Sequence, residues 1–162
     1  MLRAIMAVSA DGFVCSGPDD NMRWTGKADK RLFREQTDGC AIGAGTTTWE
    51  AMRGLNLLGR TLVRITREPR DLASPDGPSE ELEMTLGAFA ENYPDGWLIG
   101  GQTMLLSAIQ DGFVDCVVLS HVTAELGEGV KDEVSSLLHS LGWTMRYFPM
   151  GDLKLVTWNR GA

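Results

Sequence analysis

Asp29 stands five residues after Trp24 and four before Phe33, an acid placed between two aromatic side chains. A carboxyl facing an apolar pocket has its charged form disfavoured, so it can hold or deliver a proton near neutral pH. An acid in the first turn of a helix can equally serve the helix dipole alone. Arg60, just after Gly59, could grip a carboxylate through two parallel hydrogen bonds or form an ordinary surface ion pair. Two further segments combine glycine with hydroxyl donors: Gly43-Ala44-Gly45-Thr46-Thr47-Thr48 and Ile99-Gly100-Gly101-Gln102-Thr103. Glycine lets backbone approach a phosphate, and a following helix N-terminus faces the anion. Neither segment is the GxGxxG fingerprint, and each alone reads as a tight strand-to-helix turn. Two in one chain point toward the phosphates of a dinucleotide. Arg67 could meet an additional phosphate there, or be a solvated arginine.

Other reactive side chains are sparse. Cys15, Cys40 and Cys116 make no CxxC pair, and an odd, scattered set suits reduced thiols in a cytosol. With only His121 and His139 beside them, a metal site is poorly supplied, and none is expected. His121 is expected at a strand end near the pocket and His139 at the surface. Trp143 and Trp158 are expected to pack on a sheet.

The elements that must position these residues follow from apolar patterning. Leu2 to Val8 reads as an opening buried strand, followed by a long polar loop through Gly17-Pro18-Asp19-Asp20-Asn21. Residues 27–37 suit a helix with Ala28, Leu32 and Phe33 on its buried edge. Residues 39–45 form a second strand, and 46–52 a helix for which Thr46 is a plausible cap. Residues 60–66 form a strand, followed by a loop containing Pro69, Pro75 and Pro78. A helix over 86–93, a strand over 97–99, a helix over 102–109 and a strand over 115–123 come next. Residues 130–141 read as a helical turn or a loop, and strands over 142–148 and 153–159 close the chain. This alternation predicts one α/β domain spanning 1–162. Its central sheet is mostly parallel with an antiparallel C-terminal edge strand, and helices cover both faces.

Bulk properties limit the partners. In 162 residues, 43% are apolar and 23% charged, the mixture of a soluble globular protein. The net charge of −7, without a basic block, argues against nucleic acid. No apolar run reaches the roughly 20 residues of a membrane span, and the opening segment is too short for a signal peptide. A cytoplasmic monomer acting on a small molecule is expected.

Taken together and in order, these residues resemble the dihydrofolate reductase family over nearly the whole chain. Met22-Arg23-Trp24-Thr25-Gly26-Lys27-Ala28-Asp29, with Phe33 and Thr37, is similar to the family's Trp, catalytic acid, pocket Phe and Thr. Thr48-Trp49-Glu50, Gly59-Arg60, Thr66-Arg67, Ile99-Gly100-Gly101 and Ser120-His121 resemble later family motifs. The resemblance implies NADPH-dependent reduction of 7,8-dihydrofolate, with hydride passing from the nicotinamide to C6 and a proton to N5. It implies Asp29, Trp24 and Ser120 as catalytic residues. Ile5, Met6, Ala7, Asp29, Phe33, Met52, Leu57, Arg60 and Ile99 would meet substrate. The cofactor would meet Ala7, Val14, Gly45, Thr46, Thr47, Thr48, Thr66, Arg67, Ile99, Gly100, Gly101, Gln102, Thr103 and Met104. The loop from Ala10 to Trp24 would close over the nicotinamide.

The chain departs from the family pattern at four places. Thr46 replaces a basic residue, Lys30 an apolar one and Leu105 an aromatic one, while Gly127-Glu128-Gly129-Val130 replaces a Gly-Asp-Thr segment. That last segment is more similar to the pyrimidine reductase domain of riboflavin biosynthesis, which shares fold and cofactor. Trp24, Asp29, Phe33 and Arg60 together favour the folate pocket over it. Asp29, Trp24 and the complete Ile99-Gly100-Gly101 turn together disfavour a non-catalytic nucleotide-binding protein.

Overall fold

The computed structural model describes residues 1–55, 57, 59–69 and 82–161. In chain order, these form β1 (Leu2–Val8), β2 (Phe13–Cys15), a 3₁₀ turn (Arg23–Thr25), α1 (Gly26–Thr37), β3 (Ala41–Ala44) and α2 (Thr46–Met52). Next come β4 (Thr61–Ile65), β5 (Leu82–Met84), α3 (Leu86–Asn92), β6 (Trp97–Leu98), α4 (Gln102–Gln110) and β7 (Val114–His121). The chain closes with β8 (Val130–Lys131), α5 (Val134–Ser140), β9 (Thr144–Met150) and β10 (Leu153–Asn159). The expected loop positions Pro75 and Pro78 lie outside the described residues.

The main sheet has the order β5-β4-β3-β6-β1-β7-β10-β9. Strands β5 to β7 pair in parallel, and β10 runs antiparallel to both β7 and β9. The antiparallel pairing thus falls at the C-terminal edge, where β10 is the reversed strand and β9 the outermost. A second, two-stranded sheet pairs β2 with β8.

β1 is apolar apart from the half-buried Arg3, because both of its faces are covered, as central parallel strands require. Leu2, Ala4, Met6 and Val8 enter the larger core, which also holds Phe89, Leu105, Val134 and Leu138 from α3, α4 and α5. Ile5 turns to the opposite face, where it joins Trp97, Val118, Phe33 and Ile99. Leu32 of α1 packs there too, beside Val122, Leu153 and Trp24. Gly43 keeps β3 close to this architecture: an added Cβ would come within 3.0 Å of both Leu98 and the Phe89 ring.

Several expectations need correction. The polar loop after β1 contains β2, and residues 130–141 contain both a short strand and α5. Strands of two or three residues carry too little alternation to be read from sequence. Ala28 is exposed on α1 rather than on its buried edge. Gly45, not Thr46, caps α2 and makes no side-chain cap bond; the Thr46 hydroxyl is engaged by Arg64 at 3.1 Å. Leu105 is fully buried in the larger core, so its side chain is a packing element.

Candidate active site

One face of α1 organises the site. Asp29, Phe33 and Thr37 recur at four-residue intervals, which aligns them along a single helical stripe. With a rise of about 1.5 Å per residue, the stripe runs roughly 12 Å from acid to threonine. Arg60 reaches its far end from the residue before β4: Nη1 donates to Thr37 Oγ1 at 3.2 Å, and the guanidinium lies 5.9 Å from the Phe33 ring centroid. Thr37 is fully buried and donates to the Phe33 carbonyl at 2.7 Å. The Arg60 Nε is buried and has no hydrogen-bond partner. A buried guanidinium donor left open costs free energy until an acceptor arrives, so this end of the stripe is suited to an anion.

At the other end, burial pushes the Asp29 carboxyl above its ordinary value of 3.8. The nearby hydroxyls of Ser120 and Thr25 and the charge of Lys30 pull it partly back. Ser120 is fully buried on β7, opposite Ala7 of β1, and its Oγ has no hydrogen-bond partner of good geometry. It lies close enough to influence the carboxyl while retaining a free donor and acceptor. Lys30 is turned back from the stripe: its ammonium bonds the Met22 carbonyl at 2.9 Å and Thr25 Oγ1 at 2.8 Å. The unusual lysine after the acid therefore braces the 3₁₀ turn that precedes α1.

Trp24 is positioned by its indole N–H, which donates to Asp20 Oδ2 at 2.8 Å. Burial works against the Asp20 charge, but backbone N–H groups of Ser16 and Met22, with Trp24, lower its pKa. This carboxylate ties Ser16, Met22 and Trp24 together before α1, and Trp24 packs with Leu32, Val122 and Leu153 rather than with Phe33. Ile5, Phe33 and Ile99 converge in one apolar cluster. Met52 and Leu57 are half-buried at the end of α2 and just before Arg60, whose N–H donates to the Leu57 carbonyl at 3.0 Å. The Met6 side chain enters the larger core on the opposite sheet face, leaving its backbone as the part available here.

The two glycine turns meet at the carboxyl ends of the neighbouring strands β3 and β6. Gly45 N–H donates to the Gly100 carbonyl at 2.8 Å. A Cβ on Gly100 would lie 3.5 Å from Thr48 Oγ1, and its φ of +132° suits glycine. Gly45 and Gly101 are the extended N-caps of α2 and α4, neither with a side-chain cap bond. This exposes oriented backbone donors at adjacent strand ends, where open α/β sheets bind ligands. Thr47 and Thr103 are exposed, while Thr48 and Met104 are half-buried. Thr66 Oγ1 accepts from Glu68 N–H at 3.3 Å, and Arg67 is exposed. Val14 packs into the larger core.

Arg64 is the residue that sequence reasoning missed here. From β4, it joins Thr46 to Glu83 of β5, with Nη1 2.8 Å from Glu83 Oε1, and its guanidinium lies 5.6 Å from the Trp49 ring centroid. An arginine between the apolar Leu62-Val63 and Ile65 was the available signal. His121 lies at the end of β7 with its pKa lowered by burial, and His139 is exposed. Trp143 and Trp158 join the larger core. A separate hollow of about 590 Å³, lined by His121, Met145, Tyr147, Lys154 and Trp158 among others, contains neither Asp29, Arg60 nor the glycine turns.

A family model described as dihydrofolate reductase matches residues 1–133. Among solved structures, a dihydrofolate reductase from Enterococcus faecalis complexed with NADP(H) and RAB-propyl superposes with a TM-score of 0.70. The two sequences are 20% identical, and the match covers 100% of this chain and 97% of that one. No curated protein matches the sequence. The structural likeness gives the fold, and the family match spans most of the chain that carries the acid, the arginine and both glycine turns. This chain belongs to the dihydrofolate reductase family.

Proposed function

We propose that the protein reduces 7,8-dihydrofolate to tetrahydrofolate with NADPH. The observation that carries this reading is the α1 stripe: a half-buried acid at one end, an aromatic ring between, and an open guanidinium donor at the other. That layout fits a flat, proton-accepting heterocycle joined through an arene to a carboxylate. The residues present also fit the cofactor. Gly45, Gly100 and Gly101 offer backbone to phosphates, Thr46, Thr47, Thr48 and Thr103 supply hydroxyls, and Thr66 with Arg67 lies at the end of β4 for the ribose phosphate.

When bound, NADPH supplies the hydride. The protein's own groups handle the rest. Asp29 binds the heterocycle and promotes protonation of N5 through water; burial keeps a larger fraction of its carboxyl protonated than an exposed Asp would have. The nearby Ser120 hydroxyl favours the charged form of that carboxyl. Ile5, Phe33 and Ile99 form the apolar floor, and Arg60 holds the distal carboxylate. The loop from Ala10 to Trp24 covers the reacting centre and excludes water. We propose a cytoplasmic monomer, on the scattered cysteines and the small-molecule substrate. No helix among the described residues is long and apolar enough to cross a membrane.

The test is steady-state consumption of NADPH with dihydrofolate, alongside a phosphorylated ribosylamino-pyrimidine. Turnover with dihydrofolate that depends on Arg60 for KM is the expected result. A folded, NADPH-binding protein that turns over only the pyrimidine would overturn it.

A further inference from the structure

The resemblance places Gln102, the first residue of α4, among the cofactor contacts, yet its side chain is engaged elsewhere. Nε2 donates to the Lys131 carbonyl at 2.9 Å, and Oε1 accepts from Glu133 N–H at 2.8 Å. Both ends of one amide thus hold β8 against the start of α4. β8 supports the covering loop in turn: Phe13 pairs with Lys131 and Cys15 with Val130, and Asp132 N–H donates to the Gly12 carbonyl at 2.9 Å. At the base of that loop, the Asp11 carboxylate accepts from Leu126 N–H at 3.0 Å and Gly127 N–H at 2.7 Å. Gly129 leaves no room for a side chain, since an added Cβ would overlap the Cys15 carbonyl. The turn expected to hold phosphates and the loop expected to cover the reaction therefore share one support.

We propose that Gln102 is a positioning residue that couples cofactor binding at the Gly100–Gly101 turn to ordering of the covering loop, through β8. This rests on the cofactor reading above. A cofactor that fixes the first turn of α4 fixes Gln102, and its two hydrogen bonds then restrain β8 and the β2 strand paired with it. The linkage is reciprocal, so loosening the loop must weaken the cofactor by the same factor. Couplings of this kind span roughly 5- to 150-fold, and two neutral surface hydrogen bonds place this one near the lower end, about fivefold.

The experiment is residue-resolved amide hydrogen exchange on the full chain, with and without NADPH, in wild type and Gln102→Met. The variant keeps side-chain length and removes both bonds. In wild type, NADPH is expected to slow exchange at Gly101 to Met104 and, by about fivefold, at Cys15 and Asp132. In Gln102→Met, protection is expected at Gly101 to Met104 while Cys15 and Asp132 keep their cofactor-free rates. Equal protection of Cys15 and Asp132 in both proteins would overturn the proposal. So would their lack of response in wild type despite protection at Gly101 to Met104. No protection anywhere in wild type would overturn the cofactor reading, and this proposal with it. As a second measurement, Gly129→Ala is expected to weaken NADPH binding about fivefold in wild type and much less in the Gln102→Met background. Equal weakening in both backgrounds would contradict the coupling.

Discussion

The two halves of the candidate site are built on different terms. On the α1 side, side chains leave chemistry uncommitted: a carboxyl raised by burial, a hydroxyl without a partner and an arginine with an open Nε. On the side of α2 and α4, backbone forms the cradle, and two conspicuous polar side chains are tied to structure. Arg64 joins Thr46 to Glu83, and Gln102 joins α4 to β8. The difference teaches that substitutions on the first side should alter chemistry and substrate affinity. Those on the second should register mainly as stability or coupling.

The largest expected effect is on the first side. Asp29→Asn should lower turnover at neutral pH by about 10²- to 10⁴-fold, the range for loss of a positioned proton donor. The same change should raise Tm at neutral pH. A carboxyl whose folded pKa is raised destabilises the fold as pH climbs from its ordinary 3.8 through the folded value, so the gain should vanish in acid. Thermal melts of both proteins across that range check the sign. Arg60→Met should raise KM for dihydrofolate about 10- to 100-fold, with kcat little changed, as loss of a charged hydrogen bond implies. An analogue lacking the distal carboxylate should be bound equally by both proteins.

Arg64→Met tests the other side. Denaturant titration should show a loss of about 1–3 kcal/mol, because the guanidinium shared by Thr46 and the buried Glu83 is gone. Turnover with saturating substrates should stay within about threefold, since the change is remote from the reacting atoms. A large fall in kcat with unchanged stability would break the comparison. The smallest effect is expected for Ser120→Ala. Ser120 lowers the Asp29 pKa, so its loss should move the pH dependence of turnover upward, with only a few-fold change at neutrality.

The same contrast explains what was legible in the sequence. Trp24, Asp29, Phe33 and Arg60 are residue types whose chemistry shows in their side chains, and the four-residue spacing of Asp29, Phe33 and Thr37 is a helical signal. The long strands and α1, α2 and α4 follow from apolar runs and glycine punctuation. β2 and β8 were missed because two or three residues show no period, and Val130 and Lys131 are both exposed. The partners of Arg64 and Gln102 were equally hidden, since each bonds a group reached only through the tertiary fold. Thr46 looked like a helix cap because hydroxyls commonly are; Arg64 claimed its oxygen instead.

The central claim is that Asp29 governs protonation while the nicotinamide delivers hydride to dihydrofolate. Its most direct test is the pH profile of single-turnover rates with NADPH and with NADPH deuterated at the transferred position, in wild type and Asp29→Asn. The account predicts a primary isotope effect in wild type and a rate that falls as pH rises. In the variant it predicts a much slower rate at neutrality that recovers in acid, where solvent can supply the proton. A variant whose rate and pH profile match wild type would contradict the account.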